Sequence, residues 1–224
     1  MLVWILLWIS GVLGQEDMRE KLFAFPEESS HTYVQIFPDG KGPFREATVC
    51  MRLHSDLTRQ YSLFSLATPK LPNTFRLYNY SIKRKQFKLT VNAVEQYYDL
   101  QDNDFKEWTS ICASWRSSGA VVFINQRKYD KRKISVTEIK ANPIIIIGEE
   151  QDSYGGGFNK SQSFVGEITD VNMWDKALTD EDMMDYFAAE EMSGNIIDWK
   201  ALRYTIVGNV IIKPYSDPYP CEAI

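Results

Sequence analysis

Oxygen-bearing side chains crowd the segment from residue 148 to residue 162, directly after an apolar run of isoleucines. The segment holds Glu150, Asp152 and Gln162, with glycines at residues 155–157 between them. Hard cations such as calcium take roughly six to eight oxygen ligands from carboxylates, amides and backbone carbonyls. Because glycine accepts the backbone angles of a tight return, the two carboxylates can meet Gln162. The segment therefore predicts a calcium loop.

Two other interpretations of this segment stay open. An acidic, glycine-rich loop is also typical of a solvated turn, and the spacing is not that of an EF-hand. Glu150 and Asp152 alternate as the paired carboxylates of a glycoside hydrolase do, so a jelly-roll glycanase is a remote alternative. Such a site usually has a second Glu where this chain has Tyr154. His31 and His54 lie next to no serine-elbow motif, so we assign no catalytic residue.

Short segments of alternating or β-branched residues recur along the chain and predict a β-sandwich. They comprise residues 32–37, 47–53, 61–67, 75–80, 87–94, 110–115, 120–125, 143–148 and 164–174. Residues 203–207 and 210–213 flank Gly208-Asn209, which suits a two-residue turn, so we expect a β-hairpin there. A threonine followed by acids predicts a capped helix over residues 179–189, packed against a sheet.

The composition of the chain limits the class of protein. A chain of 224 residues with 44% hydrophobic and 13% aromatic residues is long enough for one substantial core. The formal net charge of −5 argues against nucleic acid as the primary ligand, since that ligand requires a basic face. With two histidines and no CxxC pair, the sequence does not predict a zinc site.

The N-terminal segment over residues 1–14 carries no charged side chain, and its apolar run over residues 2–9 is followed by small residues. This pattern is typical of a secretory signal peptide. The run is shorter than the ~18 residues of a membrane-spanning helix, and no later run is longer. We therefore expect a secreted, extracellular protein without a transmembrane segment, with one domain over residues 15–215 and an irregular tail over residues 216–224.

Secretion favours disulfide formation by the three cysteines, because disulfides persist in oxidising compartments. Cys50 and Cys112 lie in strand-like segments of the same phase, each opposite the apolar set, so we predict a disulfide between adjacent strands. The chain-entropy model assigns such a bridge roughly 4 kcal/mol. Cys221 is left over in the tail, which suggests an intermolecular bond or a capped thiol.

The chain also holds two N-glycosylation sequons, at Asn79 and Asn159. Asn79 falls in a predicted strand, whereas Asn159 falls inside the predicted calcium loop. A glycan on Asn159 would sit on top of the metal loop. Both asparagines are candidate acceptors on the sequence alone.

Three segments together resemble one protein family: residues 110–117, residues 150–156, and residues 164–168 with 171–175. The chain is similar to the pentraxin family, of the short type. The likeness continues through residues 23–26, 61–65, 195–199 and 210–214, and it covers essentially the whole mature chain. The resemblance implies a jelly-roll sandwich of the concanavalin or lectin-like type, with one helix on the face opposite the calcium site, assembled as a flat cyclic pentamer.

The resemblance implies a function as well. Proteins of this family bind two adjacent calcium ions per protomer, and the ions hold phosphocholine, phosphoethanolamine or acidic glycans on microbial or damaged-cell surfaces. Weak sites on one face of the assembly add by avidity. The chain would then be a lectin-like, acute-phase pattern-recognition protein of innate immunity, with complement components as further partners and no enzymatic step.

Carried over residue by residue, the family's metal ligands fall on Asn73, Glu150, Gln151 through its backbone carbonyl, Asp152 and Gln162. Tyr78 falls where the family places an aromatic residue beside the ligand. Two family carboxylates are missing, since Pro72 has no side-chain oxygen and Asn159 retains only an amide oxygen to offer a metal. Because calcium affinity follows ligand charge, we expect the second ion to be weak or lost. A calcium-weakened pentraxin that acts as a structural or interaction protein is the alternative.

Overall fold

The computed structural model describes residues 15–81, 85–102, 104–105, 107–188 and 192–215, apart from the side chains of residues 81 and 130–132. The predicted signal peptide, the tail over residues 216–224 and Cys221 lie outside these ranges. The division of the chain into leader, domain and tail therefore stays a prediction.

Strand is the most abundant regular structure in the described chain. The strands are β1 (Lys21–Phe25), β2 (Tyr33–Ile36), β3 (Glu46–His54), β4 (Tyr61–Thr68), β5 (Leu71–Ser81), β6 (Gln86–Val91), β7 (Val94–Asp99), β8 (Thr109–Arg116), β9 (Gly119–Ile124), β10 (Arg127–Arg132), β11 (Ile144–Ile147), β12 (Gly166–Trp174), β13 (Tyr204–Val207) and β14 (Ile211–Pro214). One α-helix, α1 (Asp180–Phe187), and short 3₁₀ helices at Lys160–Gln162 and Trp199–Ala201 complete the described elements.

The strands form two antiparallel sheets of seven strands each. The first sheet has the order β10-β9-β8-β3-β12-β1-β14, and the second has the order β13-β2-β11-β4-β5-β6-β7. Because side chains alternate along a strand, one face of each sheet is apolar, and these faces pack into one core. The predicted all-β, jelly-roll, two-sheet sandwich with a helix on one face is confirmed.

Helix α1 covers the outer face of the first sheet. It begins at a capping box, in which the Asp182 N–H donates to Thr179 Oγ1 (3.1 Å) and the Thr179 N–H donates to the Asp182 carboxylate (2.8 Å). Met183 and Tyr186 are the buried residues of the helix. The predicted cap and inward face are confirmed.

The disulfide lies beneath this helix. Cys50 and Cys112 are direct partners in the register of β3 and β8, and they are bonded to each other as predicted. Both are fully buried, in a cluster on the outer face of the first sheet. The other members of the cluster are Phe123, Trp174, Leu178, Met183 and Tyr186. The bridge therefore ties two adjacent strands together where the helix packs.

The expected β-hairpin near the end of the domain is wrong. Strand β13 pairs with β2 in the second sheet, whereas β14 pairs with β1 in the first, so the link between them crosses the sandwich. Gly208, with φ of 74°, passes so close to His31 that a Cβ on it would lie 2.3 Å from the His31 carbonyl oxygen. A glycine-asparagine pair suits both a hairpin and a crossing between sheets. The pairing of β13 with β2 and of β14 with β1 decides for the crossing.

One predicted strand, residues 87–94, is two strands. Strand β6 ends at Val91, and Asn92 and Ala93 both have positive φ (45° and 61°), the conformation of a two-residue hairpin turn. Strand β7 then runs back along β6. This hairpin forms one edge of the second sheet. It places Glu95 next to the cationic groups of Arg76 and Lys88.

Candidate functional site

The predicted calcium loop begins where β11 ends. Gly148 has φ of 93°, and a Cβ there would lie 2.5 Å from Cε1 of Phe25, so only glycine fits this exit from the core. The chain then crosses the outer face of the second sheet. Asn159 and the 3₁₀ helix Lys160–Gln162 close the loop before β12.

Gln151 anchors the loop through its buried side chain. Its Nε2 donates to the carbonyl oxygens of Ser65 (2.8 Å) and Ile144 (3.1 Å), and its Oε1 accepts from the Gly155 N–H (3.0 Å). The Gln151 N–H also donates to Ser65 Oγ (3.2 Å). The family resemblance implies only a backbone-carbonyl role for Gln151, so the anchoring by its side chain is evident only in the structure. It fixes the loop against β4.

The sheet beneath the loop carries a charged and aromatic surface. Side chains from β5, β6 and β7 that alternate with the core residues of those strands share it, and we call them the cation–tyrosine cluster. They are Arg76, Tyr78, Tyr80, Lys88, Thr90, Glu95 and Tyr97. Ser65 pairs with Arg76 in the register of β4 and β5, so the loop anchored at Ser65 lies over this cluster.

Arg76 forms an ion pair with Glu150, through Nη1 and Oε1. Both side chains are buried, with 5% and 4% of their surface exposed. Arg76 Nη2 lies 3.2 Å from Glu95 Oε1, and the guanidinium carbon lies 5.0 Å from the centre of the Tyr78 ring. Burial lowers the pKa of Arg76, while the Glu95 carboxylate opposes that shift. The Arg76 guanidinium is thus paired with Glu150, one of the predicted metal ligands.

Lys88 is a second buried cation in the cluster. Its Nζ donates to Glu95 Oε1 (2.7 Å) and lies 5.2, 4.8 and 5.8 Å from the ring centres of Tyr78, Tyr80 and Tyr97. Burial lowers the pKa of Lys88, and the bond to Glu95 counters this. Glu95 is therefore shared between Lys88 and Arg76. None of these three residues was predicted as part of the site from the sequence, although charged residues at outward positions of strands are a signal that could have indicated them.

Three of the predicted metal ligands present oxygen atoms without a hydrogen-bond donor. They are Asn73 Oδ1, Glu150 Oε2 and Gln162 Oε1, all buried. The side-chain amide of Gln162 donates to the Tyr78 hydroxyl through its nitrogen, and burial raises the pKa of Tyr78 to about 12. Buried acceptors normally find a partner, so three such oxygens fit the ligand chemistry of a hard cation.

The positions expected to hold a second ion fit poorly. Asn159 Oδ1 accepts from the N–H and the hydroxyl of Ser161 (both 3.0 Å), so it caps the short helix. Pro72 offers no side-chain oxygen, whereas Asp152 keeps its carboxylate and is exposed. No group of three or more His, Cys, Asp or Glu able to hold a metal occurs in the described residues. Among the described residues, these positions therefore supply fewer carboxylate oxygens than the family resemblance implies for two ions.

Glu149 does not strengthen this set. It is fully buried, and neither of its carboxylate oxygens has a hydrogen-bond partner within the described chain. Burial raises the pKa of Glu149 to about 8, and its charged neighbour is Arg59 rather than Arg76. Alternation along the chain thus separates Glu149 from Glu150.

The two sequons lie in opposite environments. Asn79 is 2% exposed, and its Nδ2 donates to the Tyr61 hydroxyl (2.9 Å), so its side chain is not accessible to a glycan in the folded domain. Asn159 is exposed on the loop, so it remains a proposed acceptor.

The comparison with known families agrees with the geometry. The Pentaxin family model matches residues 21–214. The chain belongs to the pentraxin family. Serum amyloid P-component of Mus musculus is 36% identical, over 96% of this chain and 97% of that protein. C-reactive protein of Xenopus laevis is 40% identical, over 93% of this chain and 89% of that protein.

A solved structure has the same fold. A heptameric, serum-amyloid-P-like pentraxin from Limulus polyphemus superposes with a TM-score of 0.78 at 24% identity, over 92% of this chain and 99% of that one. The family model and the two relatives confirm the family resemblance seen in the sequence, and this structure confirms the fold. Within the ranges that the structure describes, no helix is long and apolar enough to cross a membrane.

Proposed function

We propose that this pentraxin is a secreted recognition protein, without enzymatic activity, that binds phosphate or carboxylate groups on microbial or damaged-cell surfaces with the help of calcium. The observation that supports this most is the set of buried acceptors on Asn73, Glu150 and Gln162. They lie at the positions where the family resemblance puts metal ligands. The kinship with serum amyloid P-component and C-reactive protein supports the same function.

The residues that would hold calcium are Asn73, Glu150, Asp152, Gln162 and the backbone carbonyl of Gln151. A bound ion would supply positive charge for an anionic ligand. Tyr78 is only 2% exposed, so it supports Gln162 and the cations rather than contacting the ligand broadly. Tyr80 and Tyr97 are partly exposed and would provide the aromatic contact surface.

We propose that the protein acts as a cyclic homo-oligomer. Weak sites on one face of a ring gain affinity by avidity, and a shared orientation of protomers suits a repetitive surface. The solved Limulus relative is heptameric, and the family resemblance implies a pentamer. Sedimentation analysis of the secreted protein would give the number of protomers.

Retention on phosphoethanolamine resin tests the function. In about 1 mM calcium, the upper end of the dissociation constants of extracellular calcium modules, the protein should bind and should elute with a chelator. Glu150→Gln should weaken retention. The matched control is Glu167→Gln, because Glu167 pairs with Lys213 (3.2 Å) on the first sheet. Equal loss in both variants, or retention without calcium, would contradict the proposal.

A second candidate is an interaction protein that does not use calcium. The ion pair between Arg76 and Glu150 favours it, because the carboxylate is already neutralised without a metal. Retention that resists a chelator and yields only to salt would select this candidate. The glycanase alternative requires turnover of a polysaccharide that depends on Glu150, and a Glu150 held by Arg76 gives it no support.

A further inference from the structure

Arg76 lies beneath the predicted calcium loop, where its guanidinium meets the carboxylate of Glu150. It sits on the outward face of β5, directly opposite Ser65, the residue to which Gln151 is anchored. The adjacent Glu150 therefore reaches the guanidinium and pairs with it. The contact follows from strand register and from the loop anchor together, so it is built into the fold.

The surroundings of Arg76 hold it in place. Its Nη2 lies 3.2 Å from Glu95 Oε1 and 3.4 Å from Thr90 Oγ1, and its guanidinium lies near the face of Tyr78. With 5% of the side chain exposed, the guanidinium has little access to water. A buried arginine needs paired carboxylates, and Glu150 and Glu95 provide them. Glu150 is thus occupied by a partner within the chain.

We propose that Arg76 takes the place of one metal ion at this site and competes with calcium for Glu150. A calcium ion bound by Glu150 would have to displace the guanidinium or lie beside a like charge in a poorly hydrated site, and both cost affinity. The protein then binds at most one calcium ion, and weakly. The inference rests on the proposed function only in taking this loop as the metal site.

Lys88, the other buried cation beneath the loop, provides a matched control for Arg76. Lys88 also pairs with Glu95, at 2.7 Å, so Glu95 keeps a partner when Arg76 is removed. No contact between Lys88 and Glu150 is seen among the ion pairs and hydrogen bonds of the described residues. Arg76→Met and Lys88→Met are therefore matched variants, each replacing a buried cation by a flexible apolar side chain over Tyr78, and only one frees Glu150.

The first experiment is a calorimetric calcium titration of the full secreted protein. Arg76→Met should bind calcium at least about tenfold more tightly than wild type, since affinity follows ligand charge. Lys88→Met should change affinity much less. The gain should vanish in the double variant Arg76→Met/Glu150→Gln. Equal affinity of wild type and Arg76→Met, or an equal gain in Lys88→Met, would overturn the inference.

A second measurement remains informative if Arg76→Met does not fold. Glu150→Gln in a chelator leaves Arg76 paired only with Glu95, which Lys88 also holds, so the melting temperature should fall by about 5 °C or more. If Glu150 were instead a metal ligand without an internal partner, removing its charge from metal-free protein would leave the melting temperature unchanged or raise it. That result would overturn the inference.

The outcomes also separate this inference from the proposed function. Calcium binding by Arg76→Met alone would uphold the inference and reject calcium dependence of the wild-type protein. Tight and equal binding by both proteins would reject the inference and keep the function. Binding by neither protein would reject both.

Discussion

The two outer faces of the sandwich are built on opposite principles. On the first sheet, helix α1 and the Cys50–Cys112 bridge close an apolar cluster. On the second sheet, a loop closes over Arg76, Lys88 and their carboxylates. Apolar contacts need no particular partner, whereas each buried charge needs one in a defined place. The first face therefore serves stability, and the second face can exchange one charged partner for another.

Under the loop on the second sheet, several oxygen atoms that a cation could use are unpaired within the described chain. Glu150 Oε1 is paired, but Glu150 Oε2 and the oxygens of Asn73 and Gln162 have no donor within the described chain. Unpaired buried acceptors reduce stability, and a cation or a water molecule that reached them would recover it. The helix side holds no such group of predicted ligands. Substitutions on the two faces should therefore separate stability from calcium binding.

The largest expected effect is on the helix side. Cys50→Ala/Cys112→Ala should lower the free energy of unfolding by about 4 kcal/mol, because the bridge restricts the unfolded chain. Urea unfolding measures this. Calcium titration of the folded variant should match wild type. A loss below about 1 kcal/mol, or a changed calcium affinity, would remove the contrast between the faces.

The next effect lies at the anchor of the loop. Gln151→Ala removes the bonds to the carbonyls of Ser65 and Ile144 and leaves the Gly155 N–H without its acceptor. We expect a loss of about 3 kcal/mol in urea unfolding, together with loss of the calcium response in calorimetry. Normal calcium binding in this variant would show that the loop holds its shape without the anchor.

A smaller effect is expected at the cap of helix α1. Thr179→Ala should cost about 1 kcal/mol in thermal or urea unfolding, without changing calcium affinity. Bonds from the N–H and hydroxyl of Thr179 lower the pKa of Asp182 below its ordinary 3.8. The bond from the Thr179 hydroxyl to the Asp182 carboxylate therefore contributes fully above that value and weakens as the pH falls through the lower, folded pKa, whereas the bond from the Asp182 N–H to Thr179 Oγ1 remains. The difference between variant and wild type should shrink in strong acid, and a difference that did not change with pH would contradict the contribution of the carboxylate.

The smallest effect on stability is expected at Gln162. Its Oε1 has no partner and its side chain makes one bond, to the Tyr78 hydroxyl, so Gln162→Ala should lower the unfolding free energy of calcium-free protein by no more than about 1 kcal/mol. Calcium affinity should nevertheless fall in the titration. A large loss of stability with unchanged calcium binding would show that Gln162 contributes to stability and not to metal binding. The loop face would then serve stability as the helix face does.

Sequence patterns located much of the fold because alternation and cap chemistry are local. The segment of Cys50, the helix with its Thr179 cap and the isoleucine strand β11 were all predicted from neighbouring residues. The crossing at Gly208 was not, since a turn dipeptide does not say which sheet receives the next strand. The same limit hid β7, whose turn at Asn92-Ala93 lies within a run that resembles one strand.

For the candidate site, the sequence by itself determined the family and the oxygen-bearing residues, because Glu150, Asp152 and Gln162 lie on one short segment. It also determined that Pro72 and Asn159 lack the expected carboxylates. Only the tertiary structure decided that Arg76 meets Glu150. That contact joins residues far apart in the chain through strand register and a buried glutamine, and charge pairing across such distances leaves no local pattern.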